Sequence, residues 1–526
     1  MNSEVIIMKK IISVLLSILM LVSCCSVVSF AEGEITYEQP FAPYTEGSRS
    51  FRIPSIITLQ DGSVLAAVDM RYDHGSDSPH NLDTLIAHSE DGYTGWETSI
   101  VNYFDDYAHG YSDANSASFI DPAMVQTSSG RIFMIVDAFP SGGGSRTAEK
   151  GTGYVELDGH KYLALTNTDD ITKSIDKFEY ILLDFEGDYA KIVKRDTRQD
   201  TGYYVDKEYD LYKNGQPVMV AQNGSDEQVQ QNVFYVGADF TMYHTMHLWL
   251  RYSDDNGKTW SDPQILTPQI KEERESFLAI CPGKGYVTTV NGKERIIFCV
   301  YDNSTTNILG VEMVSTIYSD DGGVTWQRGE RVLNKIAMIK TSESQIVTLP
   351  DGTLRMFSRN ESNYVGYSDS TDGGVTWTTS VPDTDLEGTK NCMVSFINYN
   401  AKKINGKSVI IGSYASNVDS RADGVVRVGL VDSNNNIDWI STYHLNQGFF
   451  AYSCLTELAD GNIGVLCEDE LDYVRYRVLS INDDGELTDV SGNNIEFQNK
   501  SQTVWEKIVS FFKNIFKQIQ IWFGIL

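Results

Sequence analysis

An eight-residue repeat constrains the fold of this chain more than any other feature of its sequence. The repeat has the pattern Ser-x-Asp-x-Gly-x-Thr-Trp, and we call each copy a Trp box. Three copies are intact and the fourth is degenerate, at residues 253–260, 319–326, 370–377 and 89–96. Ser and Asp side chains bond the backbone of a turn, Gly accepts a positive φ, and Trp buries its ring between neighbouring sheets. A calcium loop needs a Glu six residues after the Gly, which these copies lack, so we interpret the boxes as structural turns.

A second repeat is an Asp-Gly pair between two short apolar segments, at Asp61-Gly62, Asp351-Gly352 and Asp460-Gly461. An Asp-Gly turn flanked by such segments is a strong hairpin signal. Several hairpins per repeat over roughly 400 residues predict an all-β propeller rather than a sandwich.

The repeat rhythm stops between Pro140 and about Met246, where no Trp box occurs. This stretch still has strand character at residues 154–157, 180–185 and 233–236. We therefore predict that residues 141–246 form a small β-subdomain inserted in a propeller loop.

The net charge of −30 argues against a nucleic-acid partner, because phosphate binding needs clustered Lys and Arg. Any anionic ligand must be held by a local positive pocket inside a repelling field.

Five cysteines lie beyond the N-terminal leader, in odd number and without CxxC spacing, which argues against disulfides and zinc. We expect them to be small buried hydrophobes. They are Cys281, Cys299, Cys392, Cys454 and Cys467.

Both ends of the chain carry separate signals. Lys9 and Lys10 precede an apolar run, and Ser29 and Ala31 supply the small residues of a cleavage site, so residues 1–31 are predicted to be a signal peptide. The expected location is secreted or cell-surface associated, with a lipid tether if Cys24 of a lipobox-like stretch is acylated.

Residues 500–526 are predicted to contain an amphipathic helix that is too polar to span a bilayer. Docking on a membrane surface, on the protein's own body or on a second copy stays open.

The segment Phe51-Arg52-Ile53-Pro54 lies at the start of the first predicted propeller strand. Together with the Trp boxes downstream, it resembles the bacterial exo-α-sialidase (neuraminidase) family, glycoside hydrolase family 33, over roughly residues 43–479. The resemblance implies a six-bladed β-propeller, with the catalytic domain expected over residues 40–485. It also implies that Arg52 binds the carboxylate of sialic acid.

Residues 66–84 resemble the family's Asp-x-Arg segment and the Gly-rich loop that carries the catalytic acid. The match places the acid/base at Asp77 and a substrate-binding arginine at Arg71. A loop carboxylate over an apolar pocket has the raised pKa that a general acid needs. Further along, Asp121 matches an aspartate that contacts hydroxyl or amide groups of the sugar. Three nearby carboxylates remain alternatives for the acid: Asp69, Asp73 and Asp83.

Glu343 and Arg359 stand sixteen residues apart across a predicted hairpin, so neighbouring strands present both at one end of a blade. The resemblance makes Glu343 the residue that activates the nucleophile and Arg359 the second arginine of a carboxylate clamp. Arg421 resembles the third, with Arg427 as an alternative; the family tends to have Asn where this chain has Asp423. The stretch around Tyr452 resembles the nucleophile segment.

Together these residues imply hydrolysis of terminal sialic acid from glycoproteins, gangliosides and oligosaccharides, with retention. A neutral tyrosine avoids driving a charged nucleophile against the substrate's own carboxylate, and sialidases are known exceptions to the two-carboxylate rule. Tyr is a weak nucleophile and needs a base partner. No metal or organic cofactor is expected. Two alternatives remain: transfer of sialic acid, including intramolecular release of an anhydro product, and a non-catalytic glycan-binding propeller.

Overall fold

The computed structural model describes residues 38–491, apart from 43, 73, 105–115, 169, 171–172, 222–227, 304–311, 334–339, 389–390 and 471–472. The predicted signal peptide, the lipobox-like stretch with Cys24, the C-terminal helix and Asp73 all lie outside the described residues. Among the described residues, no helix is both long and apolar enough to cross a membrane.

The described chain is almost entirely β-structure, and its sheets divide into six blades, each built on four antiparallel strands. A parallel pairing of β3 with β5 joins blades 1 and 2 in one sheet. Blade 1 consists of β1 (Ser50–Thr58), β2 (Val64–Arg71), β3 (Leu82–Ser89) and β4 (Glu97–Asn102). Blade 2 begins with β5 (Ser118–Gln126) and β6 (Ile132–Phe139). An insert follows, with β7 (Tyr154–Leu157), β8 (His160–Thr166), β9 (Tyr180–Leu182), β10 (Ala190–Lys194), β11 (Asp200–Val205), β12 (Leu211–Lys213), β13 (Gln216–Pro217), β14 (Met219–Ala221), β15 (Gln228–Gln230) and β16 (Thr241–Met242). Blade 2 then ends with β17 (His247–Ser253) and β18 (Gln264–Ile265).

The remaining blades follow in chain order. Blade 3 contains β19 (Leu278–Ile280), β20 (Gly283–Lys284), β21 (Tyr286–Val290), β22 (Lys293–Asp302), β23 (Met313–Ser319) and β24 (Gln327–Arg328), of which β20 pairs with β5 and β21 is an extra strand beside β22. Blade 4 contains β25 (Thr341–Thr348), β26 (Leu354–Asn360), β27 (Tyr364–Ser370) and β28 (Val381–Glu387). Blade 5 contains β29 (Ser395–Ile404), β30 (Lys407–Ala415), β31 (Gly424–Val431) and β32 (Ile437–His444). Blade 6 contains β33 (Ser453–Glu457), β34 (Ile463–Glu470), β35 (Tyr473–Ile481) and β36 (Leu487–Asp489). Short helical turns lie at Thr45–Gly47, Ile175–Lys177 and Thr267–Ile270.

Each Trp box follows the third strand of its blade, after β3, β17, β23 and β27, and turns the chain toward the fourth strand. In one copy, Ser319 Oγ donates to Asp321 at 2.7 Å and accepts from the Gly323 amide at 2.9 Å. Trp326 Nε1 donates to the Gly323 carbonyl at 3.1 Å, and its ring packs near Phe133 of the preceding blade. A Cβ on Gly323 would approach the Phe133 ring to 2.4 Å, so this position requires glycine. The structural interpretation of the boxes is confirmed.

The insert between β6 and β17 has its own eight-stranded sheet, formed by β7 to β13 and β16. The strand predicted at residues 233–236 is wrong, because this segment is a turn. The Asn232 side chain accepts a hydrogen bond from the Phe234 amide at 3.0 Å, which stabilises the turn. The apolar pattern of this turn reflects burial: the side chains of Val233, Phe234 and Tyr235 fill the core between the insert and the propeller.

The ring closes where blade 6 meets blade 1, and we call this junction the seam. β33 contacts β1, but within the described residues each of these blades is built from one continuous stretch of chain, so no strand is exchanged. Side chains join them instead: the Thr456 hydroxyl accepts from the Thr58 amide at 2.9 Å. Gln39 bonds both the amide and the carbonyl of Tyr476, at 2.7 and 3.1 Å.

The core includes whole strands of the blades: every residue of β2 and of β6 is buried, the charged residues Asp69, Arg71 and Asp137 among them. The five cysteines are buried in the blades with free thiols, which confirms their expected burial.

Candidate active site

A cavity of about 480 Å³ opens where the inner strands of several blades end on one face of the ring. Five basic and five acidic side chains line it, although the chain as a whole carries a net charge of −30. The basic residues are Arg52, Arg146, Lys340, Arg359 and Arg421. The acidic residues are Asp77, Asp121, Asp137, Glu312 and Glu343. Tyr452 and Tyr301 supply phenol groups, and Ile120, Phe139 and Phe277 supply apolar wall.

The strands are irregular where they carry these side chains. Strand pairing shifts between Arg52 and Ser55 in β1, between Ile120 and Ala123 in β5, and between Thr341 and Ser344 in β25. A bulge bends its strand and redirects a side chain. Arg52, Asp121 and Glu343 each lie within or beside such a shift, which explains how three blades aim residues into one cavity.

Tyr452, Glu343 and Arg359 form a compact hydrogen-bonded group. Tyr452 precedes β33, and its hydroxyl donates to Glu343 Oε1 at 2.5 Å. Arg359 Nη1 donates to Glu343 Oε2 at 2.6 Å and to the Tyr452 oxygen at 2.7 Å. Glu343 and Arg359 lie on the paired strands β25 and β26, as the sixteen-residue spacing predicted.

The phenol of Tyr452 is held neutral in this group. Burial raises the pKa of Tyr452 well above its ordinary value of 10, and the carboxylate of Glu343 adds to the rise while Arg359 opposes it. The hydroxyl therefore needs a base to leave as phenolate, and Glu343 already accepts its hydrogen bond. The geometry suits a phenol that is deprotonated only as it reacts.

The three arginines predicted to form a clamp surround Tyr452. The guanidinium groups of Arg421 and Arg52 lie 5.2 and 5.8 Å from the centre of its ring, and Arg359 contacts its hydroxyl. Arg421 Nη2 donates to the carbonyl of Asn391 at 2.7 Å, and among the described residues it has no carboxylate partner. Three guanidinium groups around one point form a strong site for a carboxylate.

Glu468 is a site residue that sequence reasoning missed. Its Oε2 accepts from Arg52 Nε and Nη2 at 3.3 and 3.2 Å, and its Oε1 accepts from the Ile53 amide at 2.8 Å. Its side chain is only 2% exposed. Glu468 lies in β34, 416 residues from Arg52, within an acidic stretch that reads as a surface turn. No local pattern distinguishes it, because its partner lies across the seam.

Asp77 lies at the mouth of the cavity with a side chain that is 68% exposed. Its Oδ1 accepts from Arg71 at 2.8 Å and from Arg52 at 3.4 Å. Desolvation would raise the pKa of Asp77, but Arg71 and then Arg52 outweigh it and hold the pKa below the ordinary 3.8. The predicted raised pKa is therefore wrong for the unliganded protein, because the prediction considered the pocket wall and not the neighbouring arginines.

Arg71 was predicted to bind substrate, and the structure places its side chain outside the cavity lining. Its side chain is fully buried, does not line the cavity, and bonds Asp69, Asp77 and the Gly75 carbonyl at 2.7, 2.8 and 2.7 Å. These hydrogen bonds from Arg71 hold the loop that carries Asp77 in place.

Asp121 lines the cavity floor above a group of buried carboxyls. It has a φ of 65°, and its amide donates to Asp69 Oδ1 at 2.9 Å. Burial, then the neighbouring carboxyls Asp69 and Asp137, raise the pKa of Asp121 well above 3.8. Burial also raises the pKa of Asp69 to about 7, against the opposing charge of Arg71. Burial thus favours the protonated form of the carboxyls at and below the cavity floor.

The remaining alternatives lie away from the cavity. Asp83 accepts from the Tyr72 hydroxyl at 2.9 Å and from the Phe104 amide at 3.1 Å. Arg427 lies over Trp439 and bonds the Asp385 carbonyl at 3.1 Å. Neither lines the cavity, in contrast to Asp77 and Arg421.

Comparisons with known proteins agree with this architecture. The BNR repeat-like domain family matches residues 195–465. The chain is 32% identical over 477 residues to the anhydrosialidase of Macrobdella decora, covering 83% of this chain and 60% of that protein. It is 30% identical over 479 residues to sialidase B of Streptococcus pneumoniae, covering 82% of this chain and 65% of that protein. The chain thus spans less than two thirds of the length of these two relatives.

Solved structures are similar over more of their length. The intramolecular trans-sialidase from Ruminococcus gnavus, in complex with oseltamivir carboxylate, superposes with a TM-score of 0.74 at 33% identity. The match covers 84% of this chain and 96% of that one. A leech intramolecular trans-sialidase in complex with 2,7-anhydro-Neu5Ac gives a TM-score of 0.75 at 30% identity, over 88% and 72% of the two chains. From its Trp boxes, its six-bladed fold and these relatives, this chain belongs to the sialidase family.

Proposed function

We propose that this chain is an exo-α-sialidase that hydrolyses terminal sialic acid from glycoproteins, glycolipids and oligosaccharides with net retention. The observation that carries the proposal is the hydrogen-bonded group of Tyr452, Glu343 and Arg359, which lines the same cavity as the other two clamp arginines. A neutral nucleophile with a built-in base suits a substrate whose reacting carbon bears a carboxylate.

Substrate binding begins at the clamp. The substrate carboxylate takes charge-assisted hydrogen bonds from Arg52, Arg359 and Arg421, which lie around the Tyr452 ring. This contact places the anomeric carbon near the phenol oxygen. Arg359 then contacts both the nucleophile and the substrate, so it orients the reacting atoms.

Bond cleavage uses the two carboxyl groups on either side. Glu343 accepts the phenol proton as the Tyr452 oxygen attacks the anomeric carbon, and the glycosidic bond breaks. Asp77 gives its proton to the leaving oxygen, and then removes a proton from the water that attacks the anomeric carbon. The bond between this carbon and the Tyr452 oxygen breaks, and Glu343 returns the proton to that oxygen. Because Arg71 and Arg52 stabilise ionised Asp77 in the free protein, Asp77 gains its proton as the substrate neutralises Arg52.

Release of sialic acid from a fluorogenic aryl sialoside and from 3′-sialyllactose tests the proposal. The parent should turn over both substrates, and Tyr452→Phe should turn over neither at an appreciable rate. A folded parent that releases nothing from either substrate would contradict the proposal, and a glycan-binding assay would then test the non-catalytic alternative.

A second candidate is intramolecular transfer, in which a hydroxyl of the bound sugar replaces water and an anhydro product leaves. It is favoured by the similarity to the leech anhydrosialidase and to the Ruminococcus gnavus intramolecular trans-sialidase. The same side chains serve both routes, so products must be identified. Mass spectrometry of the released sugar separates them, because the anhydro product lacks one water. Transfer to an added acceptor sugar would reveal an intermolecular trans-sialidase.

The proposal also includes export of the protein from the cell. The leader at residues 1–31 supports secretion or surface association, and Cys24 supplies a site for a lipid tether. The tail at residues 500–526 supports contact with a membrane surface or a second copy. Fractionating cells that express the whole chain, beside Cys24→Ser and a variant truncated at residue 499, tests both ideas. Recovery of every form in the cytoplasm would contradict them.

A further inference from the structure

Arg146 is a cation in the catalytic cavity that the proposed reaction does not use. Three other basic residues of the cavity pair with carboxylates: Arg52 with Glu468, Arg359 with Glu343, and Lys340 with Glu312 at 3.6 Å. Arg421 belongs to the clamp. Arg146 has an exposed side chain, and no described residue forms a hydrogen bond or an ion pair with it. In a protein of net charge −30, a cation without a carboxylate partner marks a place for an external anion.

The backbone beneath Arg146 is held firmly, although its side chain is unpartnered. The Gly142 amide donates to the Ser116 carbonyl at 3.1 Å, and the amides of Thr147 and Ala148 donate to the Gly144 carbonyl at 3.0 and 2.9 Å. A Cβ on Gly144 would lie 2.5 Å from the Ser78 carbonyl oxygen, so this turn packs directly on the loop that carries Asp77. Arg146 is therefore presented at a fixed point beside the general acid.

A second cavity, of about 520 Å³, lies against the same two loops. Five residues line both this cavity and the catalytic one: Arg52, Asp77, Ser78, Ser145 and Arg146. A general acid touches the leaving oxygen, so the space beyond Asp77 is where the leaving sugar must lie. Arg146 consequently faces the leaving sugar, whereas Arg359 and Arg421 line only the catalytic cavity. Arg52 lines both cavities but is already paired with Glu468.

We propose that Arg146 forms an anion subsite for the leaving sugar, so that the preferred substrates carry an acidic group on the residue next to the terminal sialic acid. The inference rests on the proposed exo-sialidase function. A guanidinium group binds sulfate esters and carboxylates through paired, charge-assisted hydrogen bonds. The acidic group is thus a sulfate ester on the penultimate sugar, or the carboxylate of a penultimate sialic acid.

The test compares kcat/KM for 3′-sialyllactose, whose leaving sugar is neutral, with a sulfated 3′-sialyllactose and with an α2,8-linked disialyl-lactose. Arg146→Gln removes the charge at similar size, and Arg146→Lys keeps it. We expect Arg146→Gln to lower the ratio of anionic to neutral kcat/KM about tenfold, with Arg146→Lys in between. The ratio should also decline as salt is raised in the parent and stay flat in Arg146→Gln. The matched control is Arg198→Gln, an exposed arginine over Tyr162 in the insert, which should leave the ratio unchanged.

The two anionic substrates separate the two sources of the charge. A fall for the sulfated substrate alone assigns a sulfate subsite, and a fall for the disialyl substrate alone assigns a carboxylate subsite. An equal fall for neutral and anionic substrates, or no fall in either ratio, overturns the subsite while leaving the sialidase function standing. A parent that releases sialic acid from none of these substrates, nor from an aryl sialoside, overturns the proposed function and the subsite with it.

Discussion

The hydroxyl of Tyr452 donates a 2.5 Å hydrogen bond to Glu343, although the two residues are 109 positions apart and belong to blades 6 and 4. Tyr452→Phe removes the attacking oxygen and keeps the ring between Arg421 and Arg52. We expect kcat/KM to fall by roughly 10³-fold or more on an aryl sialoside, as for loss of other nucleophiles. Steady-state kinetics with an active-site titration of the parent measures this loss.

The control for this substitution is Tyr399→Phe. The Tyr399 hydroxyl makes a partly buried contact, donating to the Gly461 carbonyl at 2.8 Å, and Tyr399 does not line the cavity. It should lower the free energy of unfolding by about 1 kcal/mol and leave kcat/KM intact. Similar activities for Tyr452→Phe and Tyr399→Phe would rule out Tyr452 as the nucleophile.

The dependence on leaving group should identify Asp77 as the acid. An aryl leaving group needs little protonation, whereas a sugar hydroxyl needs a proton from the enzyme. Asp77→Ala should therefore lower kcat/KM for 3′-sialyllactose by roughly 10²- to 10⁴-fold and affect cleavage of an activated aryl sialoside much less. Asp83→Asn is the control in a nearby buried carboxyl that does not line the cavity. Equal losses on both substrates would assign Asp77 to binding instead.

The pH dependence of kcat and of kcat/KM should reveal how the arginines around Asp77 shift its pKa. In the free protein, Arg71 and Arg52 hold the pKa of Asp77 below 3.8, so the protonated acid is lost early as pH rises. Bound substrate neutralises Arg52 and raises that pKa. The alkaline limb of kcat should thus lie at higher pH than the alkaline limb of kcat/KM for 3′-sialyllactose. Profiles whose limbs coincide would contradict this account.

Sequence reasoning located the residues that lie in recognisable local patterns. Glu343 and Arg359 share a hairpin, so their spacing already implied that they are neighbours. Glu468 and Arg146 could not be found in this way, because the residues beside which they act lie in a loop or blade far along the chain. The pKa of Asp77 was predicted in the wrong direction because the prediction did not count Arg71 and Arg52 as partners of that carboxylate. The apolar run at residues 233–236 suited a strand and a buried turn equally, and only tertiary packing separates the two.

Glu468 should stabilise the seam as well as position Arg52. Glu468→Ala leaves the buried Ile53 amide without its acceptor, which should cost about 1–3 kcal/mol. Glu468→Gln keeps an acceptor for that amide and should cost less, while both variants should raise KM because Arg52 loses its partner. Denaturant unfolding and steady-state kinetics measure the two effects. Glu470→Ala is the control, since its pair with Arg475 is half exposed and worth about 0–1 kcal/mol. Stability losses that do not differ between the Glu468 variants would contradict the role of the Ile53 amide.

The Trp boxes should contribute to acid sensitivity. The Thr259 hydroxyl lowers the pKa of Asp255 below 3.8, so the folded protein binds fewer protons there than the unfolded chain does. This stabilisation is present above about pH 4 and is lost as pH falls through the lowered pKa. Thermal midpoints of the parent and of Asp255→Asn should therefore differ at pH 6 and converge as pH falls through the lowered pKa of Asp255. Asp262→Asn, at an exposed aspartate beside the same box, is the control. A constant difference at every pH would contradict the prediction.

The seam also sets the order of events during synthesis. Arg52 and Asp77 lie in the first blade that the ribosome produces, whereas Tyr452 and Glu468 lie in the last. The nucleophile, its clamp and its acid can therefore meet only after about 400 further residues have been translated and the ring has shut. A nascent chain contains most of the cavity residues long before the last blade completes the active site. Cleavage of sialosides therefore indicates a complete, closed ring and not a folded fragment.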